Sequence, residues 1–115
     1  MIKVSIINKI LQKIYIYIGL LRRLPEKTFP YIELYWDADY TGALRLDISY
    51  PSMYDEGLID YEVFKVDYHK IESIMKRIFE ILNKDDDLND LVIEFEKEEG
   101  CEPTLHIVRR SEYPY

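Results

Sequence analysis

The sequence predicts an α+β fold: an antiparallel sheet of four to five strands with two helices, in the order α-β-β-(β)-α-β-β. Three observations predict it. Apolar residues recur at spacings of three and four in two separate segments, as on one face of a helix. Elsewhere the chain alternates apolar and polar residues in short runs, the period of half-buried strands. The links between these runs are short, which favours antiparallel neighbours with both helices packed on one face. A length of 115 residues suits a single domain over 1–115. With 48% apolar and 32% charged residues, the composition is that of a chain that buries a core, not of a disordered one.

The first helix is read from Ile7, Ile10, Leu11, Ile14, Ile18 and Leu21, with Ser5 as its cap and Pro25 as its stop. Ile14-Tyr15-Ile16-Tyr17-Ile18 alternates like a strand, but the longer 3/4 spacing around it favours helix. Ile32, Leu34 and Trp36 alternate with Glu33 and Tyr35, predicting a strand over 31–37. Asp37 to Gly42 supplies turn chemistry. Leu44, Leu46, Ile48 and Tyr50 then form a second strand that ends at Pro51. Tyr54-Asp55-Glu56-Gly57 reads as loop, and 58–65 as a less regular third strand. Asp67 is a candidate cap for the second helix, whose stripe is Ile71, Ile74, Met75, Ile78, Phe79 and Leu82. Asn83 and Asp85-Asp86-Asp87 end that helix. A closing hairpin follows: Leu91, Ile93 and Phe95 on one strand, a turn over 98–103, then Leu105 and Ile107 up to about Arg109.

Charge is unevenly placed. Residues 1–24 carry Lys3, Lys9, Lys13, Arg22 and Arg23 with no acid, whereas the remainder holds ten bases against twenty-two acids, a net −12. An acidic body repels phosphates and attracts basic proteins, so nucleic acid is not the expected partner. Lys9 and Lys13 interrupt the apolar run of the first helix and leave only Ile14 to Leu21, too short to span a bilayer. No small-residue cleavage site follows, because Arg22-Arg23-Leu24-Pro25 stands there. The expectation is a cytoplasmic, unprocessed chain without stable membrane insertion.

Parts for catalysis are scarce, and the expectation is no enzyme, no metal and no cofactor. Cys101, the single cysteine, lies among Glu98, Glu99 and Glu102, which disfavour a thiolate. His69 and His106 have no third ligand in a zinc spacing. No lysine has an acid two positions before it, so the common metal-nuclease pattern is absent, and four glycines form no phosphate loop. Asp85, Asp87, Asn89 and Glu96 match positions 1, 3, 5 and 12 of a calcium loop, but position 6 is Asp90 where that loop needs glycine. A solvated acidic loop that terminates the helix is the reading.

A binding surface remains. Eleven tyrosines are a heavy load for this length, and Tyr15, Tyr17, Tyr31, Tyr35, Tyr40, Tyr54, Tyr61, Tyr68, Tyr113 and Tyr115 fall among charges, in loops or on outer faces. Acids steer an encounter and aromatics anchor it, which suits a small protein that covers a basic active-site cleft. The expected contact residues are Asp85, Asp86, Asp87, Asp90, Glu98, Glu99 and Glu102, with Tyr113 and Tyr115. The alternative is a regulatory or phage-type interaction protein, a homodimer formed through the apolar helix at 6–21.

The order of elements resembles that of the YezG-like immunity proteins, small acidic bacterial antitoxins. The resemblance lies in a first helix running into Leu24-Pro25, a strand opening at Tyr31-Ile32-Glu33-Leu34 and a second around Leu44-Arg45-Leu46-Asp47-Ile48. A helix of the type Ile71-Glu72-Ser73-Ile74-Met75 and a closing hairpin continue it. Phe29 and Leu91 stand where that family tends to carry tryptophan. The resemblance, shared more loosely with immunity proteins of contact-dependent inhibition systems, implies a cognate toxin domain as partner, of nuclease type and basic, and no active site.

Overall fold

The computed structural model describes residues 5–51 and 57–113. Lys3, the Tyr54-Asp55-Glu56 segment and Tyr115 therefore lie outside the described residues. The elements are α1 (Ile6–Leu21), β1 (Tyr31–Asp37), β2 (Ala43–Tyr50), β3 (Gly57–Phe64), α2 (Ile71–Asn83), β4 (Leu91–Glu96) and β5 (Thr104–Arg109). The third strand forms, so the sheet has five strands, all antiparallel, in the order β3-β2-β1-β5-β4.

Local chemistry accounts for the boundaries. Ser5 Oγ accepts the Asn8 N–H at 3.1 Å and satisfies one of the orphan donors at the start of α1. In α1 the helical period prevails over the alternation at 14–18. Ile10, Leu11, Ile14, Tyr17, Ile18 and Leu21 are buried, while Tyr15 and Ile16 face out. Tyr17 is a correction to its expected place among the outer tyrosines: it is 1% exposed, because it lies three residues beyond Ile14 and seven beyond Ile10 on the same stripe. The β1–β2 turn closes with the Gly42 N–H on the Asp37 carbonyl at 2.7 Å, and Gly42 has φ +59°, which favours glycine. Asp67 caps not α2 itself but the 3-10 turn Tyr68–Lys70 that runs into it, accepting from the His69 N–H at 3.1 Å.

Both helices cover one face of the sheet. α1 packs against β1, β2 and β3, and α2 against β4 and β5 while carrying the chain from one sheet edge to the other. The register stacks the apolar positions in transverse rows: Ile48, Ile32 and Ile107 in one, Leu46, Leu34 and Leu105 in the next. These residues and the two helical stripes form one core, in which Met75, Ile78 and Ile14 are fully buried. The apolar stripe of α1 is part of that core; Ile16, 60% exposed, is the large apolar side chain that α1 leaves in water.

Candidate functional site

Because strand side chains alternate, the register that stacks the core also stacks a second set of rows on the opposite face, which carries no helix among the described residues. The central row crosses all five strands as Tyr61, Asp47, Glu33, His106 and Glu94, each directly opposite the next. At ~4.8 Å between strands it is roughly 20 Å long. A flanking row reads Val63, Arg45, Tyr35, Thr104 and Glu96, and the row on the other side Leu58, Ser49, Tyr31, Val108 and Val92. With Asp37 at the end of β1, this open face carries five carboxylates and one guanidinium.

That guanidinium is already occupied. Arg45 Nε donates to Asp47 Oδ1 at 2.6 Å, and its guanidinium lies 4.4 Å from the centre of the Tyr61 ring. The Tyr35 hydroxyl donates to Asp47 Oδ2 at 2.9 Å, and burial followed by that hydrogen bond pushes the phenol well above its ordinary range. Asp47 is thus satisfied, and Glu33 beside it is not. Burial raises the Glu33 carboxyl above its usual range, with Asp47 and then Glu96 adding to the shift, and no hydrogen bond to it offsets them. His106 stacks at 5.3 Å from the Tyr31 ring, and burial lowers its pKa even though Glu94 and Glu96 pull the other way. The imidazole therefore adds little positive charge to the row at neutral pH.

Directly opposed like charges destabilise a sheet. Glu33→Gln is accordingly expected to stabilise the free protein by about 0.5–1 kcal/mol at neutral pH, the scale of one cross-strand pair. The sign follows from linkage: a carboxyl raised in the folded state binds its proton first there, so its penalty is full at neutral pH and is relieved as pH falls through the raised value. Urea denaturation at pH 7 and in mild acid tests this, and a Glu33→Gln protein less stable than the parent at pH 7 would contradict it. His106 has the opposite effect. Its folded pKa lies below the unfolded value of about 6.5, so the unfolded chain takes the proton first and stability falls as pH drops below that value. In His106→Phe that component of the acid loss is expected to disappear from the stability–pH curve, and a curve parallel to the parent's would refute the assignment.

The expected contact residues do not form one patch. Asp85 to Asp90 precede β4 and Glu98 to Glu102 follow it, so the six-residue strand sets them roughly 20 Å apart. Much of the first cluster holds α1. Asp85 accepts the Tyr15 hydroxyl at 2.6 Å and also the Asp87 N–H, and its carboxyl lies below the usual range for those reasons. Tyr15 is pushed up to about 12, first by burial and then by that bond. Arg22 grips both oxygens of Asp90, at 2.9 and 2.8 Å, and donates to the Asp87 carbonyl at 2.7 Å; the arginine bond holds Asp90 low. Asp86 and Asp87 are exposed. In the second cluster Glu98 and Glu99 are exposed, and Glu102 accepts the Tyr68 hydroxyl at 3.0 Å. Tyr113, 45% exposed, brings its hydroxyl to Glu94 at 3.4 Å and so borders the open face.

The calcium-loop spacing is not realised. Asp85 is held by the Tyr15 hydroxyl and the Asp87 N–H, Asp90 by Arg22, and Glu96 stands at the far end of β4. Among the described residues no three His, Cys, Asp or Glu side chains are grouped to hold a metal ion, and no helix is long and apolar enough to cross a membrane. Cys101 is exposed in the β4–β5 turn. The open face was legible in part, since Glu33, Tyr35, Arg45, Asp47, Glu94 and His106 all occupy outward positions of alternating strands. Their alignment into one row was not, because it depends on β5 pairing with β1 across more than sixty residues of chain. No protein-family model, no curated protein and no solved structure matches this chain.

Proposed function

We propose that this chain is an immunity protein that binds and neutralises a cognate bacterial toxin domain, basic and of nuclease type, in the cytoplasm. The observation that carries the reading is the sheet face without a helix, on which Glu33, Glu94 and Glu96 lie without an ion pair among the described residues, beside partly exposed tyrosines. A half-buried carboxylate with no cation opposite it destabilises the free protein, and a basic partner seated on the row supplies the missing charge. Tyr31, Tyr35 and Tyr61 on the same face offer broad contact area with polar ends. Binding is by coverage of the toxin's cleft, with no bond made or broken by this chain.

The test is co-expression with the C-terminal domain encoded by the neighbouring upstream gene. Co-purification, together with survival of cells only when both proteins are made, supports the reading. A harmless neighbour and no complex would remove it. A salt-resistant dimer at micromolar concentration would then favour the self-associating alternative.

A further inference from the structure

The end of the open face nearest the β1–β2 turn is concave. Tyr35, Asp37, Asp39, Tyr40, Arg45 and Glu102 line a cleft of about 480 Å³ there. Three carboxylates share one guanidinium, that of Arg45, which is bonded to Asp47, laid on Tyr61 and only loosely paired with Asp37. Asp37 is 7% exposed. Its Oδ1 accepts the Tyr40 N–H at 3.2 Å, whereas its Oδ2 is buried without a hydrogen bond and has only a long ion pair to Arg45 Nη1 at 3.9 Å. A buried carboxylate oxygen left in this state is unfavourable, and nearly all such groups in folded proteins find a donor.

We propose that this cleft is the anchor pocket for one arginine side chain of the bound protein, whose guanidinium is accepted by Asp37 and flanked by Asp39 and Glu102. Arginine fits better than lysine: its planar fork can donate to Asp37 and to a second acid at once, and its flat face can lie on the aromatic rings of Tyr35 or Tyr40. The cleft adjoins Tyr35 and Arg45 of the flanking row, so an arginine seated here places the partner's basic surface over Glu33. The inference rests on the reading of a basic protein partner and names the contact that would fix its position.

The experiment does not need the toxin. The full chain, labelled with nitrogen-15, is titrated with N-acetyl-arginine methylamide and, separately, with its neutral citrulline analogue. Saturable shifts of the Trp36 indole and of amides 37–42 with the arginine probe, absent with citrulline, are expected at millimolar concentration. Asp37→Asn keeps the oxygen that accepts from Tyr40 and is expected to weaken the effect at least tenfold; Glu102→Gln is a second variant, expected to weaken it less, should the first not fold. Equal shifts with citrulline, no saturation, or full binding by both variants would overturn the pocket. A lysine probe that binds as well as arginine would overturn the preference for a guanidinium. A chain that captures the toxin but shows no shift in the cleft loses only this inference. A cleft that saturates with arginine while no toxin is captured keeps the pocket and loses the proposed partner.

Discussion

Arg109→Ala is expected to cost about 3–5 kcal/mol of folding stability, the scale seen when one partner of a buried ion pair is removed. Arg109 ends β5 opposite Leu91, so its side chain emerges on the helix-covered face, where it is 11% exposed. There it donates to the carbonyls of Leu21, Leu24 and Pro25, at 3.3, 2.6 and 2.8 Å, and pairs with Glu112. These carbonyls lie at and just beyond the C-terminus of α1, where the regular helical N–H partners run out and Leu21 is left with the Leu24 N–H at 3.3 Å. Glu112 in turn accepts the Phe29 N–H at 2.6 Å. The clamp thus holds the connection from α1 to β1, in which Lys27 and Phe29 both adopt positive φ, at 65° and 53°. Such conformations persist in non-glycine residues only when their surroundings impose them. Alanine would leave the Leu24 carbonyl without its donor, and would leave the Leu21 and Pro25 carbonyls only the Leu24 N–H and the Thr28 hydroxyl. It would also remove the cation from a Glu112 carboxylate that is 8% exposed. Total stabilities run at about 5–15 kcal/mol, so the loss is a large share of the whole. Urea denaturation followed by circular dichroism measures it. Arg109→Lys is expected to recover only part, since one ammonium cannot reproduce the fork. A loss under ~1 kcal/mol for alanine would show that the clamp is dispensable.

Reversing charge on the open face is expected to have the largest effect on binding. Glu33→Lys with Glu94→Lys changes two acids of the central row that make no ion pair among the described residues. Association with the toxin domain is expected to slow by at least tenfold and to lose much of its salt dependence, because exposed fields of this kind govern encounter rates and are screened over roughly 10 Å. Asp86→Lys with Asp87→Lys makes the same change in net charge and is expected to slow association less, as those residues stand beyond the end of β4. Stopped-flow association at two salt concentrations separates the pairs. The reverse ranking would move the interface to the end of α2. Glu33→Gln links the two properties, since it should stabilise the free chain and weaken the complex together, the signature of a residue retained for binding at a cost in stability.

Secondary structure and the inward set of residues follow from local patterns along the chain. The 3/4 stripes of α1 and α2 and the alternation in β1, β2, β4 and β5 are local patterns, and burial of one apolar face leaves each segment a single orientation. Ser5 and Gly42 could be read for the same reason, since capping and a left-handed turn act within a few residues. Tyr17 belongs to the same legible stripe, and residue type alone misleads there, because a tyrosine ring suits a core as well as a surface. The acid clusters around β4 were conspicuous because they are contiguous in sequence, yet contiguity says nothing about which acids already have partners. That Tyr15 and Arg22 of α1 hold Asp85 and Asp90 emerges from the folded arrangement. The same arrangement brings Asp47, Glu33, His106 and Glu94 into one row, and leaves one oxygen of Asp37 buried without a hydrogen bond. The physical reason is the same in each case: an acid's state is set by what lies across the fold from it, and strand pairing joins residues that the chain keeps far apart.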